Sequence, residues 1–388
     1  MSKFVNLEYL ESYDINLVQQ AVESSFLKLN LEHVFKNIKK VLLKVCLPYA
    51  VSPDSAETTH PSVVRAVVNV LSSYGIKCVV ADSSYGSYSV TNLDTVYLNT
   101  GMLEVANQTN CELNHNLKTC KVSVANGVAT KSLTLMDVVN DVDAIINIGK
   151  LKINSNLGFC GATANLFGLL PGEVKTASLN RLLTLKDFYN FNLDIYQAIE
   201  NKLVLNIVDG IVAMEADNSP RMLYCLAVGE NAFAVDSALL NILNIDYSKT
   251  IINQAQNRSL IDLDKPFKLA GEKIEKFALK DFMLTDFSEK SKIHISERDR
   301  KKYFNSTQKR VVINGKKCKG CGICSKICPT KALNMKYDKN GELYATVDYN
   351  KCIFCYKCIT ACPYKVADTI EPAGYKKLNK EIDKYNED

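Results

Sequence analysis

The chain has 388 residues, 47% of them hydrophobic and 23% charged, with a formal net charge of +5. This ordinary globular composition is long enough for two or three domains and excludes a disordered or fibrous chain. No apolar run reaches the ~18 residues that cross a bilayer, and Glu8, Glu11 and Asp14 stand where a secretory signal would be apolar, so a cytoplasmic protein with no membrane span is expected.

In chain order, Val41–Pro48 is apolar enough for a buried strand, and Pro61–Tyr74 places Val63, Val64, Val67, Val70 and Leu71 at helical spacing before Gly75. Ile76–Asp82 reads as a second strand closed by the turn-rich SSYGSYS. Asp141–Gly149 and Lys202–Gly210 read as two more strands, and Phe233–Leu243 as a helix. Strands alternating with helices predict an α/β fold, a mainly parallel sheet with helices on both faces. Ligands of such sheets bind beyond the carboxyl ends of the strands.

The loops expected at those ends carry Thr58-Thr59-His60-Pro61, Asp82-Ser83-Ser84, Lys150-Leu151-Lys152, and Asp209-Gly210 with Met214-Glu215. His60 is suited to acid, base or ligand roles near neutral pH; equally, its ring suits a helix start, bonding a nearby backbone group. Lys150 and Lys152 read either as partners of a substrate carboxylate or phosphate or as solvated strand-end charges. Asp82 and Glu215 are placed to orient the histidine or take protons, although Asp82 also fits a turn cap. The glycine-rich run Gly158–Lys175 would let backbone amides approach an anion or would serve as a tight packing turn. Within it, Cys160 is either a nucleophile or metal ligand, or a buried thiol.

Taken together, Thr58–Pro61 before a Val-rich helix, Asp82-Ser83, Lys150-Leu151-Lys152, Asn165-Leu166-Phe167-Gly168 before Pro171-Gly172, Asp209–Val212 with Met214-Glu215, and Asp236 resemble the prokaryotic family known as domain of unknown function 362, over about residues 40–250. The resemblance implies an α/β domain tied to iron–sulfur redox, often followed by a ferredoxin-like module.

The sequence carries such a module. Of fourteen cysteines, six are scattered (Cys46, Cys78, Cys111, Cys120, Cys160, Cys225) and eight fall in two copies of one motif. In a reducing compartment such a cluster points to metal binding. The copies are Cys318-x2-Cys321-x2-Cys324-x3-Cys328-Pro329 and Cys352-x2-Cys355-x2-Cys358-x3-Cys362-Pro363, the spacing of bacterial two-cluster ferredoxins, in which the cysteine before proline serves the other cluster. Two 4Fe-4S clusters are therefore expected, one on Cys318, Cys321, Cys324 and Cys362, the other on Cys352, Cys355, Cys358 and Cys328. Gly320 and Gly322 leave room for the backbone to curl. The runs LNMKYD and ELYATVD around Lys339-Asn340-Gly341 predict a hairpin.

Between the two parts, Lys290–Lys319 holds a local +9, leaving −4 for the rest of the chain. The run 288–310 reads as a solvated basic linker or a docking segment for an acidic partner protein, rather than a nucleic-acid footprint. The expected layout is an α/β domain over 1–287, the linker 288–310, the module over 311–370 and a charged tail over 371–388. Eight lysines against four acids between Cys318 and Thr369 suit an acidic redox partner such as a small ferredoxin. Two readings follow. One is a ferredoxin-linked oxidoreductase acting on a small anionic substrate through His60, Lys150, Lys152, Glu215 and Asp82; the other is a non-enzymatic electron-transfer or accessory protein docking on a redox partner.

Overall fold

The apolar, β-branched runs assemble into one nine-stranded sheet. The computed structural model describes residues 4–370 apart from 86–87, 155–156, 180, 183, 266, 280, 286–309, 329–330, 350–351 and 353–356. The strands are β1 (Phe4–Tyr9), β2 (Lys40–Lys44), β3 (Lys77–Ala81), β4 (Glu112–Leu113), a separate hairpin β5 (Thr119–Ser123) and β6 (Ser132–Met136), then β7 (Ala144–Asn154), β8 (Gly158–Cys160), β9 (Leu203–Met214), β10 (Pro220–Gly229) and β11 (Lys268–Gly271). The sheet order is β11-β1-β10-β9-β7-β2-β3-β4, with β8 paired to β7. The run β9-β7-β2-β3-β4 is parallel throughout, while β10 is antiparallel to both β9 and β1. The sheet is thus mixed but mainly parallel, as expected.

Both faces are covered, which is why the central strands are continuously apolar. Val41, Leu43, Ile146, Ile148, Leu205 and Ile207 form one core with Val18, Val22 and Phe26 of the helix Ile15–Lys28 and with the valines of the helix Pro61–Ser73. The alternate residues Leu42, Ile145, Asn147 and Asn206 are also fully buried, and the helix Ala232–Ile242 packs against β9 and β10. Each fully buried Val, Leu or Ile contributes about 1.5–3 kcal/mol. The helix Pro61–Ser73 starts where Pro61 supplies a preset φ and ends before Gly75, whose φ of +73° suits a residue without a Cβ.

Three local expectations are corrected. The pattern ends strands at Gly149 and Gly210, but β7 continues to Asn154 and β9 to Met214. Antiparallel pairing with β8 and β10 carries them on, and the ladder between them is irregular from Lys150 to Lys152. Lys150, Lys152, Asp209 and Gly210 therefore lie within strands. The glycine-rich run Gly158–Lys175 is not a loop: it holds β8, a helical turn Ala162–Asn165, a 3-10 turn Leu166–Leu169 and the start of the helix Gly172–Leu179.

The chain divides into two units, Met1–Gly172 with Leu185–Ser288, and Glu173–Thr184 with Glu289–Asp388. The second unit thus takes a short excursion from the stretch expected to be all α/β. In it, β12 (Arg310–Ile313) pairs antiparallel with β15 (Ala367–Ile370), and β13 (Leu333–Tyr337) pairs with β14 (Leu343–Val347), the hairpin expected around Gly341. The expected linker lies outside the described residues except for Arg310, and the tail 371–388 lies outside them entirely. No helix of the described residues is long and apolar enough to cross a membrane.

Candidate functional site

In the α/β unit the strand-end residues separate into distinct groups. The first is centred on Asp209, fully buried on β9. Its carboxylate accepts from Lys150 Nζ (2.9 Å), the Tyr13 hydroxyl (2.7 Å), the His60 backbone N–H (3.0 Å) and, more weakly, the Ile211 N–H (3.3 Å). Tyr13, from the loop between β1 and the first helix, accepts from Lys150 Nζ (2.7 Å) and the Val212 N–H (3.2 Å). Its ring stacks on His60 at 3.6 Å between centroids. Residues from four segments therefore form one hydrogen-bonded group.

That environment fixes the proton states. Burial pushes the His60 imidazole down to about 4, with Lys150 adding to the effect and Asp209 opposing it, so the ring is neutral at physiological pH. Its Nδ1 accepts from the Ser62 N–H (3.2 Å) as the cap of the following helix. Burial lowers Lys150 against the pull of Asp209. Burial, then Asp209, raises the Tyr13 phenol. A buried pair of this kind is costly to break even where it adds little net stability.

Lys152 joins a second group. Its Nζ donates to the Glu57 carbonyl (2.9 Å) and carboxylate (3.2 Å), and its strand position pairs with Cys160 on β8. Burial pushes the Cys160 thiol up to about 12, with Lys152 pulling the other way, so it is a protonated thiol. Nearby, Thr59 ties the strand ends together by accepting from the Cys46 N–H (2.9 Å) and donating to the Ile148 carbonyl (2.8 Å). Thr58 is fully buried, and its hydroxyl has no partner among the described residues.

Asp82 and Glu215 belong to neither group. The Asp82 carboxylate pairs with Lys44 (3.1 Å) and accepts from the Ser83 N–H (2.8 Å) and the Leu47 N–H. A buried string continues from this pair through Asn165 and Asn147 to Asn206. Gly168 closes over it: a Cβ there would sit 2.0 Å from Asp82 Oδ1, so glycine is required. Glu215 closes the turn after β9, accepting from the Met283 N–H (2.9 Å) and the Ser219 hydroxyl (3.3 Å). Both carboxylates brace backbone and do not bond His60. The anion expected at the glycine-rich run is supplied by the chain: Asp236 accepts from the Ala162 N–H (2.6 Å) and the Thr163 N–H (2.9 Å).

Sequence reasoning missed Tyr13 and Lys44 and left Asp209 without a role. Only the position of Asp209 at a strand end pointed toward it.

In the second unit, Cys318, Cys321, Cys324, Cys358 and Cys362 line a narrow recess open to solvent. Cys362 comes from the far end of the module to stand with the first motif. The small core holds Val311, Ala332, Leu333, Ala345 and Cys358, with Cys318, Cys324, Cys328 and Cys352 packed against it. Gly320 and Gly322 adopt φ of +62° and +71°, and a Cβ on Gly320 would meet the Leu343 carbonyl at 2.6 Å. Burial would raise the Cys362 thiol, but backbone amides from Tyr364 to Ala367 outweigh it and hold the thiol below its ordinary range. The Ala332 N–H donates to Cys328 Sγ (3.2 Å). Amides aimed at sulfur suit thiolate ligands. Among the described residues no three His, Cys, Asp or Glu side chains converge on one point, as ligands of a single ion would at about 2.3 Å; a cubane, with one thiolate per iron, spreads its ligands around a recess. The donor set and the curled backbone fit such a cluster. Cys355 lies outside the described residues.

A family model described as domain of unknown function (DUF362) matches residues 41–241, and one described as a 4Fe-4S dicluster domain matches residues 317–366. A thylakoid-associated protein of Synechocystis sp. is 28% identical over 273 residues, covering 66% of this chain and 80% of that protein. NADH-quinone oxidoreductase subunit I 2 of Geobacter metallireducens is 34% identical over 70 residues, which cover 16% of this chain and 53% of the subunit. An uncharacterized ferredoxin of Methanocaldococcus jannaschii is 38% identical over 53 residues, 14% of this chain and 68% of that protein. Among solved structures, the lactate racemase apoprotein from Thermoanaerobacterium thermosaccharolyticum aligns at a TM-score of 0.36 and 13% identity, over 61% of this chain and 56% of that one, a likeness too slight to carry an argument.

Proposed function

The chain belongs to the DUF362 family and ends in a ferredoxin-type 4Fe-4S module, and from that premise we propose that it is a two-cluster electron-transfer protein whose clusters serve a redox reaction at the strand ends of its α/β unit. Bound 4Fe-4S clusters take up and release single electrons. Cys318, Cys321, Cys324 and Cys362 hold one cluster, and Cys352, Cys355, Cys358 and Cys328 the other. The observation that carries this reading is the recess lined by Cys318, Cys321 and Cys324 of the first motif with Cys358 and Cys362 of the second; Cys362 beside the first motif suits the crossing that a two-cluster module needs.

In the α/β unit, the neutral His60 ring, whose Nδ1 accepts from the Ser62 N–H and whose proton is therefore on Nε2, offers that N–H to a substrate, with the Lys150–Tyr13–Asp209 group as the proton store beside it, while Lys152 faces the anionic end of a small substrate. Asp82 and Glu215 drop out of this chemistry because their carboxylates are committed to Lys44 and to the backbone. Electrons would come from an acidic redox protein meeting the lysine-rich module. The test is anaerobic preparation with iron and sulfide analysis, followed by reduction of the clusters and a screen of small anions for reoxidation in the visible spectrum. Four irons instead of eight, or zinc, would defeat the two-cluster reading. In an active assay, His60→Ala and Lys152→Ala should each lower turnover by at least ~10²-fold with iron content unchanged.

One observation favours a second reading, an accessory protein that docks on a redox partner without chemistry of its own: both lysines already hold carboxylates, Lys150 with Asp209 and Lys152 with Glu57. Full activity in both variants would favour it.

A further inference from the structure

Among the described cysteines Cys321 alone is exposed, while Cys358 of the second motif is buried. Cys321 also lines the recess, so it stands at the mouth. Ile323 and Tyr364 line the same recess and are 41% and 51% exposed, which puts an apolar centre beside the exposed sulfur. Electron tunnelling weakens steeply with distance, and a ligand sulfur at the surface offers a docked carrier the shortest path.

Five exposed lysines are tied to this edge. Lys316 and Lys317 lead into Cys318, and Lys319 lines the recess. The Lys326 N–H donates to the Gly322 carbonyl (3.0 Å), one turn along the helix Ile323–Ile327, and the Lys365 N–H donates to the Cys362 carbonyl (3.1 Å) next to Tyr364. None of the five forms an ion pair among the described residues. The acids between Cys318 and Thr369 stand elsewhere in the module: Asp338 and Glu342 close the hairpin turn, Asp348 follows β14 and Asp368 is on β15. Uncompensated charge of one sign raises the encounter rate with a partner of the other sign.

Resting on the two-cluster reading, we propose that this lysine-bearing edge is the electron port. A small acidic one-electron carrier docks on it and passes its electron past Cys321 into the cluster held by Cys318, Cys321, Cys324 and Cys362. The carrier's centre loses one electron and the cluster gains one; no bond forms or breaks. An apolar centre within a charged rim is the anatomy of a protein interface. A nucleic-acid backbone would answer the lysines but leave Ile323 and Tyr364 uncovered.

The test uses the full chain with its clusters and, as probe, an acidic 2Fe-2S ferredoxin of the plant type. Iron analysis comes first: four irons instead of eight defeats the two-cluster reading, whatever the binding shows. With eight irons, calorimetry at low salt, where the Debye length is roughly 20–30 Å, should show a saturable complex that weakens at least ~10-fold at several hundred millimolar salt. Lys326→Glu combined with Lys365→Glu should weaken the complex at least ~10-fold and slow reduction of the clusters by the reduced probe to a similar degree. Lys121→Glu combined with Lys339→Glu changes the net charge equally outside the port and should alter either quantity less than about threefold. The proposal is overturned if, with eight irons in every variant, the probe does not saturate at low salt, if the two double variants lose binding equally, or if random-sequence duplex DNA binds as tightly at the same salt.

Discussion

The two units handle buried polar chemistry in opposite ways. Among the described residues of the α/β unit, charged groups near the strand ends are answered by other parts of the same chain: Lys150 by Asp209, Lys152 by Glu57, Lys44 by Asp82, and Asp236 by the Ala162 and Thr163 amides. In the module the reactive groups are thiols ranged around a recess, with backbone amides already turned toward Cys328 and Cys362. The first arrangement is complete without a guest. The second has, among the described residues, a core of five buried residues, and a domain with so small a core usually depends on a metal or cross-links for its fold.

The largest consequence concerns iron. Anaerobic chelation should abolish the slow amide exchange of the module's strands, since binding energy and folding energy are the same quantity in such a site. β2, β7 and β9, buried on both faces, should keep theirs. Hydrogen exchange by mass spectrometry reads both units in one sample. Unchanged protection in β13 and β14 would mean that the module folds on its own core and that the contrast between the units is wrong.

Next in size is the crossing. Cys328→Ala and Cys355→Ala should each lose about half the iron and leave the same residual paramagnetic spectrum. Cys321→Ala and Cys362→Ala should leave a different one, because the cysteine before each proline serves the opposite cluster. If Cys328→Ala instead matches Cys321→Ala, each motif closes on itself.

On the α/β side, Asp209→Ala leaves the Lys150 ammonium buried beside Tyr13 without its carboxylate and should cost about 3–5 kcal/mol in urea unfolding. Tyr13→Phe, which removes one hydroxyl from the same group, should cost only about 1 kcal/mol. A further Lys150→Met change in the Asp209→Ala background should recover much of the loss. No recovery would show that Asp209 matters for its backbone bonds to His60 and Ile211 rather than for the charge it answers.

The same contrast explains what could be read without coordinates. The cysteine motifs are local: their spacing states which residues meet, and the hairpin around Gly341 follows from its turn residues. The helix Pro61–Ser73 was legible because Pro61 and Gly75 mark its ends and its valines keep one period. The Asp209 group was not, because its members stand 59 and 137 residues from Lys150 and nothing in the local pattern of Tyr13 singles it out. The strand ends were misplaced for a related reason. A glycine in an apolar run reads as a stop, but Gly149 and Gly210 sit mid-strand, where the carbonyls of Gly161 and Cys225 approach to 3.1 Å of where a Cβ would stand. Asp82 was assigned toward His60 because both follow strands; Asp82 lies just past the end of β3, and its carboxylate turns to Lys44, which alternation along β2 puts on the face opposite Leu43 and Val45, with the asparagine string.

The last expected effect is one of slope rather than size, because two buried groups in the α/β unit titrate in one window with opposite signs. His60 falls to about 4 in the fold from an ordinary 6.5. Between those values the unfolded chain holds a proton that the folded chain does not, so this group makes stability rise with pH. Burial lifts Asp236 to about 6 from 3.8. Across that range the folded chain holds the extra proton, and stability falls as pH rises. Each contribution is on the order of 3 kcal/mol, and in the parent they largely cancel between about pH 4 and 6. Relative to the parent, His60→Gln should therefore lose stability as pH is raised through that window, and Asp236→Asn should gain it, each on top of a constant offset from altered hydrogen bonds. Urea unfolding at several pH values, followed by near-ultraviolet circular dichroism of the α/β unit, separates slope from offset. Slopes of the same sign in both variants would mean that one of the two groups is not buried in the protonation state assigned to it.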